Sequence, residues 1–174
     1  MNKNIEFYFD FISPYTYIGH KRIEKEGSNI NFIYKPILLG GLHKLWNITP
    51  QAHIEPKKQF MIMDCEMVSK KFKIDFNFNS NFPLNTIKLM RGCLILKGDQ
   101  LKKFIKLVFE AYWKNNEDIT DEVVLTKILD QIEINITEFT KKIEKPETKE
   151  QLKTLTNEAF KKKIFGAPTY VVNN

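Results

Sequence analysis

Apolar and polar residues alternate over Ile5–Asp10, with Ile5, Phe7 and Phe9 set against Glu6, Tyr8 and Asp10. A period of two with aromatic residues predicts a strand. Ser13-Pro14 follows, pairing a favoured N-cap with a favoured first helical residue. A helix is therefore expected from Pro14 to about Glu26, with Gly27 as its stop. Asn31–Lys35 reads as a second short strand, closed by Pro36. A helical crossover between two strands favours a parallel pair.

Gly40-Gly41 then reads as a breaker, and the stretch to Pro56, with prolines at 50 and 56, as irregular. Helical character returns over 57–73. The polar-aromatic stretch Phe76–Phe82 before Pro83 reads as a loop, and Asn85–Lys97 as a helix. The clearest helix begins near Asp99, where Leu101, Phe104, Ile105, Val108, Phe109 and Tyr112 form an unbroken apolar stripe. Further helices are expected over 121–131 and 137–143. Thr148 and Gln151 have capping-box spacing, which predicts a helix from there to about Lys163. Phe165-Gly166-Ala167-Pro168 is a turn leading into Thr169-Tyr170-Val171-Val172, a third strand. The pattern describes an α/β unit split by a long helical insertion.

Composition narrows the classes. The 174 residues suit one elaborated domain, and 43% hydrophobic residues, with fourteen phenylalanines, can build a core. The net charge of +6 is spread over lysines interleaved with glutamates, which describes solvated helix faces rather than a nucleic-acid surface. Cys65 and Cys93 lie in apolar surroundings and form no C-x-x-C, so they read as two reduced, buried thiols of a reducing compartment. The start of the chain has no signal-like apolar region, and no run is long enough to span a membrane. A soluble cytoplasmic protein is the expectation. His20, His43 and His53 lack metal-ligand spacing and read as non-catalytic, and no metal is expected.

Three motifs read together resemble one family. Phe9-Asp10-Phe11-Ile12-Ser13-Pro14-Tyr15-Thr16-Tyr17 is similar to the F-D-F-x-S-P-Y-x-Y signature of 2-hydroxychromene-2-carboxylate isomerases and kappa-class glutathione transferases. Phe82-Pro83-Leu84-Asn85-Thr86 with Met90-Arg91-Gly92 resembles their F-P-x-N-T and M-R segment, and Phe165–Thr169 their F-G-[VA]-P-T turn. Asn47, Pro50 and Lys57 fall roughly where these families carry N-x-x-P and a later lysine. The resemblance implies a thioredoxin-like fold of the DsbA type. Residues 1–40 and 164–174 would form the thioredoxin-like domain, and 41–163 an all-α insertion whose last helix can pack on the sheet. Such relatives continue with a further strand and a final helix, which have no counterpart before Asn174.

The chemistry centres on Ser13. Its hydroxyl sits at a predicted helix N-terminus, where unpaired N–H groups and the helix dipole favour negative charge. Oxidoreductases of the superfamily place the reactive cysteine there. Ser13 and Thr16 stand here instead, so disulfide exchange by that route is not expected. A serine can donate to the thiolate of a bound thiol. The resemblance thus implies glutathione as cofactor, held by Ser13, Pro14, Tyr15, Asn47, Ala167 and Pro168, with a cis bond before Pro168 that leaves the Ala167 N–H and C=O free to pair with the cysteinyl backbone. Phe11, Lys57, Asn85 and Arg91 would meet the substrate, and Phe11, Tyr15 and Trp46 would supply an apolar wall, although each can equally be core. The implied reaction is glutathione-dependent cis–trans isomerisation of a 2-hydroxychromene-2-carboxylate-like aromatic pyruvate. A transferase conjugating small electrophiles and a non-catalytic truncated binding domain stay open, as does a homodimer. Ser13 can also be a plain N-cap, Lys57 a solvated lysine, Asn85 a helix cap and Arg91 a surface residue.

Overall fold

The structure is a computed structural model and describes residues 4–26 and 30–172. The expected stop at Gly27 lies outside the described residues. Strand β1 (Asn4–Phe9), helix α1 (Pro14–Glu26) and strand β2 (Asn31–Pro36) form the predicted unit, with β1 and β2 parallel and Phe7 opposite Tyr34. Strand β3 (Thr169–Val172) pairs antiparallel on the other side of β1, with Tyr8 opposite Thr169, so the sheet order is β2-β1-β3.

Between β2 and β3 run α2 (Leu39–Trp46), a 3-10 turn (Gln51–His53), α3 (Glu55–Phe72), α4 (Ile87–Ile95), α5 (Gly98–Trp113), α6 (Glu122–Asp130), α7 (Ile136–Ile143) and α8 (Pro146–Lys161). The apolar stripe of α5 is buried from Phe104 to Tyr112, and Leu101 at its start is half-buried. Phe7, Phe9 and Phe11 join Phe104, Phe109 and Phe139 in one continuous core, so the sheet and the helices following β2 share their interior. On the opposite face Tyr8 packs with Ile37, Leu42, Ala159 and Ile164, under α2 and α8.

Two local expectations are corrected. Gly40 and Gly41 do not break the chain; they lie inside α2. A Cβ on Gly41 would stand 3.6 Å from the Thr156 methyl and 3.4 Å from Leu38 Cβ, so the small residue permits α2 to approach α8 closely. Thr148 is not a cap. Pro146 already opens α8 as its first residue, and the Thr148 hydroxyl donates to the Lys142 carbonyl at 2.9 Å, tying α8 to the end of α7.

Candidate functional site

The turn after β1 delivers Ser13 to the first turn of α1. Ser13 N–H donates to the Asp10 carbonyl at 3.2 Å, Ser13 Oγ accepts from Thr16 N–H at 3.2 Å, and the Ser13 carbonyl accepts from Tyr17 N–H. Ser13 is therefore a true N-cap. Its hydroxyl in turn donates to the Ala167 carbonyl at 2.8 Å, which links the two ends of the chain. The Ala167–Pro168 peptide bond is cis, the isomer implied by the resemblance, and Phe82–Pro83 is cis as well. One expectation is corrected here. The Ala167 carbonyl is not unpaired, because Ser13 occupies it; the Ala167 N–H has no acceptor among the described residues.

Ser13 is 4% exposed and lies in the wall of a cavity of about 690 Å³. Pro14 and Tyr15 from α1, Lys57 from α3, Asn85, and Ala167 line the same space. Sequence reasoning missed Leu39, His43, Thr49, Gln51, His53 and Phe165, which also line it. Most belong to the stretch that reads as irregular, where no periodicity marks a common face. Among the described residues no aspartate or glutamate lines the cavity, and Lys57 has no ion-pair partner. The space thus combines apolar walls with one lysine, which suits an anion carrying an apolar body. Burial holds the His43 imidazole below its ordinary range.

Other predicted residues are placed elsewhere. Phe11 is fully buried against Phe104 and Phe109, and so belongs to the core. Trp46 packs on Phe160, and its indole N–H donates to the Ile164 carbonyl at 2.7 Å; it braces the turn before β3 and is not part of the cavity wall. Asn47 is the C-cap of α2 at φ 54, a left-handed conformation that asparagine tolerates, and it does not line the cavity. Arg91 pairs with Glu144 at 3.1 Å on the α4–α7 side. Pro168 lines a separate depression with Gly19 and Tyr170. Asn85 does both things open to it: Oδ1 accepts from Ile87 N–H at 3.0 Å at the head of α4, and the residue lines the cavity.

Asp10 organises these walls although it is only 2% exposed. Its Oδ1 accepts from Ile12 N–H at 3.2 Å and from the Thr86 hydroxyl at 2.7 Å, and its Oδ2 accepts from Leu39 N–H at 2.8 Å. One carboxylate therefore joins the Ser13 turn, the start of α2 and the start of α4. Burial pushes its carboxyl above the usual range, against the pull of these donors. Leu84 N–H donates to the Tyr112 hydroxyl at 3.1 Å, which fixes the 82–85 wall to α5. The Tyr15 phenol donates to Asp64 at 2.8 Å, and burial with this carboxylate drives its pKa upward. The Cys65 thiol, pushed up to about 12 by burial and by Asp64, is no nucleophile in this setting. Cys93 is buried and raised for the same first reason.

This arrangement, a βα turn carrying a capped polar residue beside a cis-proline turn, defines a thioredoxin-type site. Residues 4–174 match the DSBA-like thioredoxin domain, and the chain belongs to that family. Within it, the chain is 23% identical over 184 residues to glutathione S-transferase kappa 1 of Homo sapiens, covering 98% of this chain and 81% of that protein. It is 23% identical over 179 residues to 2-hydroxychromene-2-carboxylate isomerase of Sphingobium xenophagum, covering 100% and 91%. Its fold matches a solved 2-hydroxychromene-2-carboxylate isomerase with a TM-score of 0.87 at 21% identity, over 97% of this chain and 84% of that one. No described helix is long and apolar enough to cross a membrane.

Proposed function

We propose that the chain binds glutathione in the cavity at the head of α1 and acts as a glutathione-dependent cis–trans isomerase on a 2-hydroxychromene-2-carboxylate-like aromatic substrate. The observation that carries this reading is Ser13: a helix-capping hydroxyl, almost fully buried, in the wall of a cavity lined, among the described residues, by no carboxylate. The helix N-terminus and the hydroxyl both favour an anion there. Bound there, glutathione would supply a thiolate for reversible addition to a conjugated double bond, the chemistry that allows a cis–trans change with the thiol regenerated. Ser13 holds the sulfur, while Lys57 and Asn85 face a carboxylate of the cofactor or substrate. The apolar walls orient the ring, supplying proximity rather than covalent chemistry.

Kappa-class transfer is the second reading, because the similarity to the human transferase spans the same residues. It uses the same thiolate and ends in a conjugate. Calorimetry with glutathione tests the shared step, and product analysis separates the two: an isomer with glutathione regenerated, or a thioether. Absence of glutathione binding by folded protein would sink both.

A further inference from the structure

Helix α2 is pinned at both ends. Leu39 N–H donates to the Asp10 carboxylate at 2.8 Å, and Ile48 N–H donates to the His43 carbonyl at 2.9 Å just past the Asn47 cap. His43 stands about one helical turn after Leu39, and both line the cavity. Gly40 lines it too, and nothing lies within 4 Å of a Cβ placed there, so the space on this side of α2 is open. Among the described residues, the polar side chains of the wall that are at least half-buried are Ser13, Tyr15 and His43. The Ser13 proton goes to the Ala167 carbonyl and the Tyr15 proton to Asp64. The His43 imidazole has no hydrogen-bond or ion-pair partner among the described residues. Burial keeps it neutral at ordinary pH, and a neutral imidazole carries one donor and one acceptor nitrogen. Both are unspent.

We infer that His43 is a specificity-determining residue: its imidazole binds a hydroxyl group on the aromatic ring of the substrate, while Lys57 takes the carboxylate. This rests on the proposed function and names the feature of the substrate that the cavity reads. A ring hydroxyl is both donor and acceptor, so it pairs with either nitrogen of the imidazole, whichever tautomer is present. The Lys57 ammonium only donates and attracts negative charge first. A neutral ring beside a lysine therefore tells apart the two oxygen groups of one ligand. An aromatic acid without the hydroxyl covers the half-buried imidazole and leaves it without a partner, which costs affinity. No covalent bond is made or broken and no proton changes owner; the contact is a hydrogen bond formed on binding.

The test uses two probes, 2-hydroxycinnamate and cinnamate, aromatic acids that differ in one ring hydroxyl. Calorimetry in the presence of glutathione compares wild type, His43→Phe and His43→Gln. Wild type is expected to bind the hydroxylated acid roughly three- to tenfold more tightly. His43→Phe keeps a ring of similar size without its nitrogens, and should bring the two acids to equal affinity. His43→Gln restores a donor and an acceptor and should recover part of the preference. Nitrogen NMR of histidine-labelled wild type needs no variant: the His43 ring signals should shift with 2-hydroxycinnamate and differ from those with cinnamate. Equal affinities in wild type overturn the inference. So does a preference that survives in His43→Phe, or a His43 signal that is the same with both acids. Calorimetry with glutathione alone keeps the two readings apart. Glutathione binding without discrimination between the acids removes the role of His43 and leaves the proposed function standing; a folded wild type that does not bind glutathione removes both.

Discussion

The Thr86 hydroxyl donates to the Asp10 carboxylate across 2.7 Å, joining the head of α4 to the end of β1 beneath the cavity. Two backbone N–H groups, from Ile12 and Leu39, share the same carboxylate. Asp10→Ala leaves all three donors without an acceptor and is expected to cost about 2–4 kcal/mol. Thr86→Val removes one of them and should cost about 1 kcal/mol. Urea denaturation measures both; a loss under about 0.5 kcal/mol for Asp10→Ala would mean that other groups hold these segments together.

His20 lies 2% exposed between Tyr34 and Phe109, with Nδ1 unpaired. Burial foremost, with the charge of Lys21, lowers its pKa from 6.5 to about 3. The unfolded chain therefore takes up this proton first as the pH falls. Stability is lost from about pH 6.5 downward through about pH 3. His20→Phe removes the proton-binding site and should hold its melting temperature better than wild type between pH 6 and pH 4 (roughly the window in which a histidine charges). Parallel melting curves of the two proteins over that range would refute this.

Glu6 adds a second acid-sensitive element, of opposite origin. The Lys162 ammonium at 2.8 Å, with Tyr8 and Lys35, holds its carboxyl down at about 2 against the effect of burial. This is a carboxylate with a depressed pKa, so its stabilisation is full above about pH 4.5 and fades as the pH approaches 2. Glu6→Gln should unfold with a shallower pH dependence over that span. Added salt should narrow the difference, because Lys162 is partly exposed. An unchanged acid transition would show that the Lys162–Glu6 link between α8 and β1 contributes nothing.

The glycines of α2 and α4 should respond in opposite directions. Nothing lies within 4 Å of a Cβ placed on Gly40, so Gly40→Ala is expected to stabilise the helix by about 0.5–1 kcal/mol. A Cβ on Gly92 would stand 2.5 Å from Phe139 Cζ, and Gly92→Ala should cost roughly 1–3 kcal/mol through overpacking. Thermal melts of the pair check the signs. A stabilised Gly92→Ala would mean that Phe139 moves aside freely.

Lys57 faces the cavity without an ion-pair partner among the described residues. Lys57→Gln should leave the melting temperature unchanged and weaken glutathione binding at low salt by roughly two- to fivefold, about 0.4–1 kcal/mol. The gap should close as salt is raised. Equal affinities for the two proteins at low ionic strength would place the ligand carboxylates elsewhere.

Much of this molecule was legible in the chain because its signals are local. The alternation of Ile5–Asp10, the Ser13-Pro14 helix start and the stripe of α5 each depend on neighbours within a few residues, and each element forms where its pattern lies. Ser13 was legible for the same reason, since an N-cap is a local device. Other features depend on groups far apart in sequence. The alternation in β1 implies one covered face, yet Tyr8 and Asp10 are buried too, because α2 and α8 cover the second face. Phe11 and Trp46 read equally as pocket wall or core, and the structure makes them core and brace, since only packing decides which side of a turn an aromatic ring takes. Gly40-Gly41 looks like a breaker, but Asp10 supplies an acceptor at the start of α2, and the close approach to α8 requires a small residue at Gly41. The hydrogen bond from Ser13 to Ala167 spans 154 residues. The sequence by itself determined where a helix-capping hydroxyl would stand; only the tertiary structure decided where its single proton goes, because a hydrogen bond depends on distance in space.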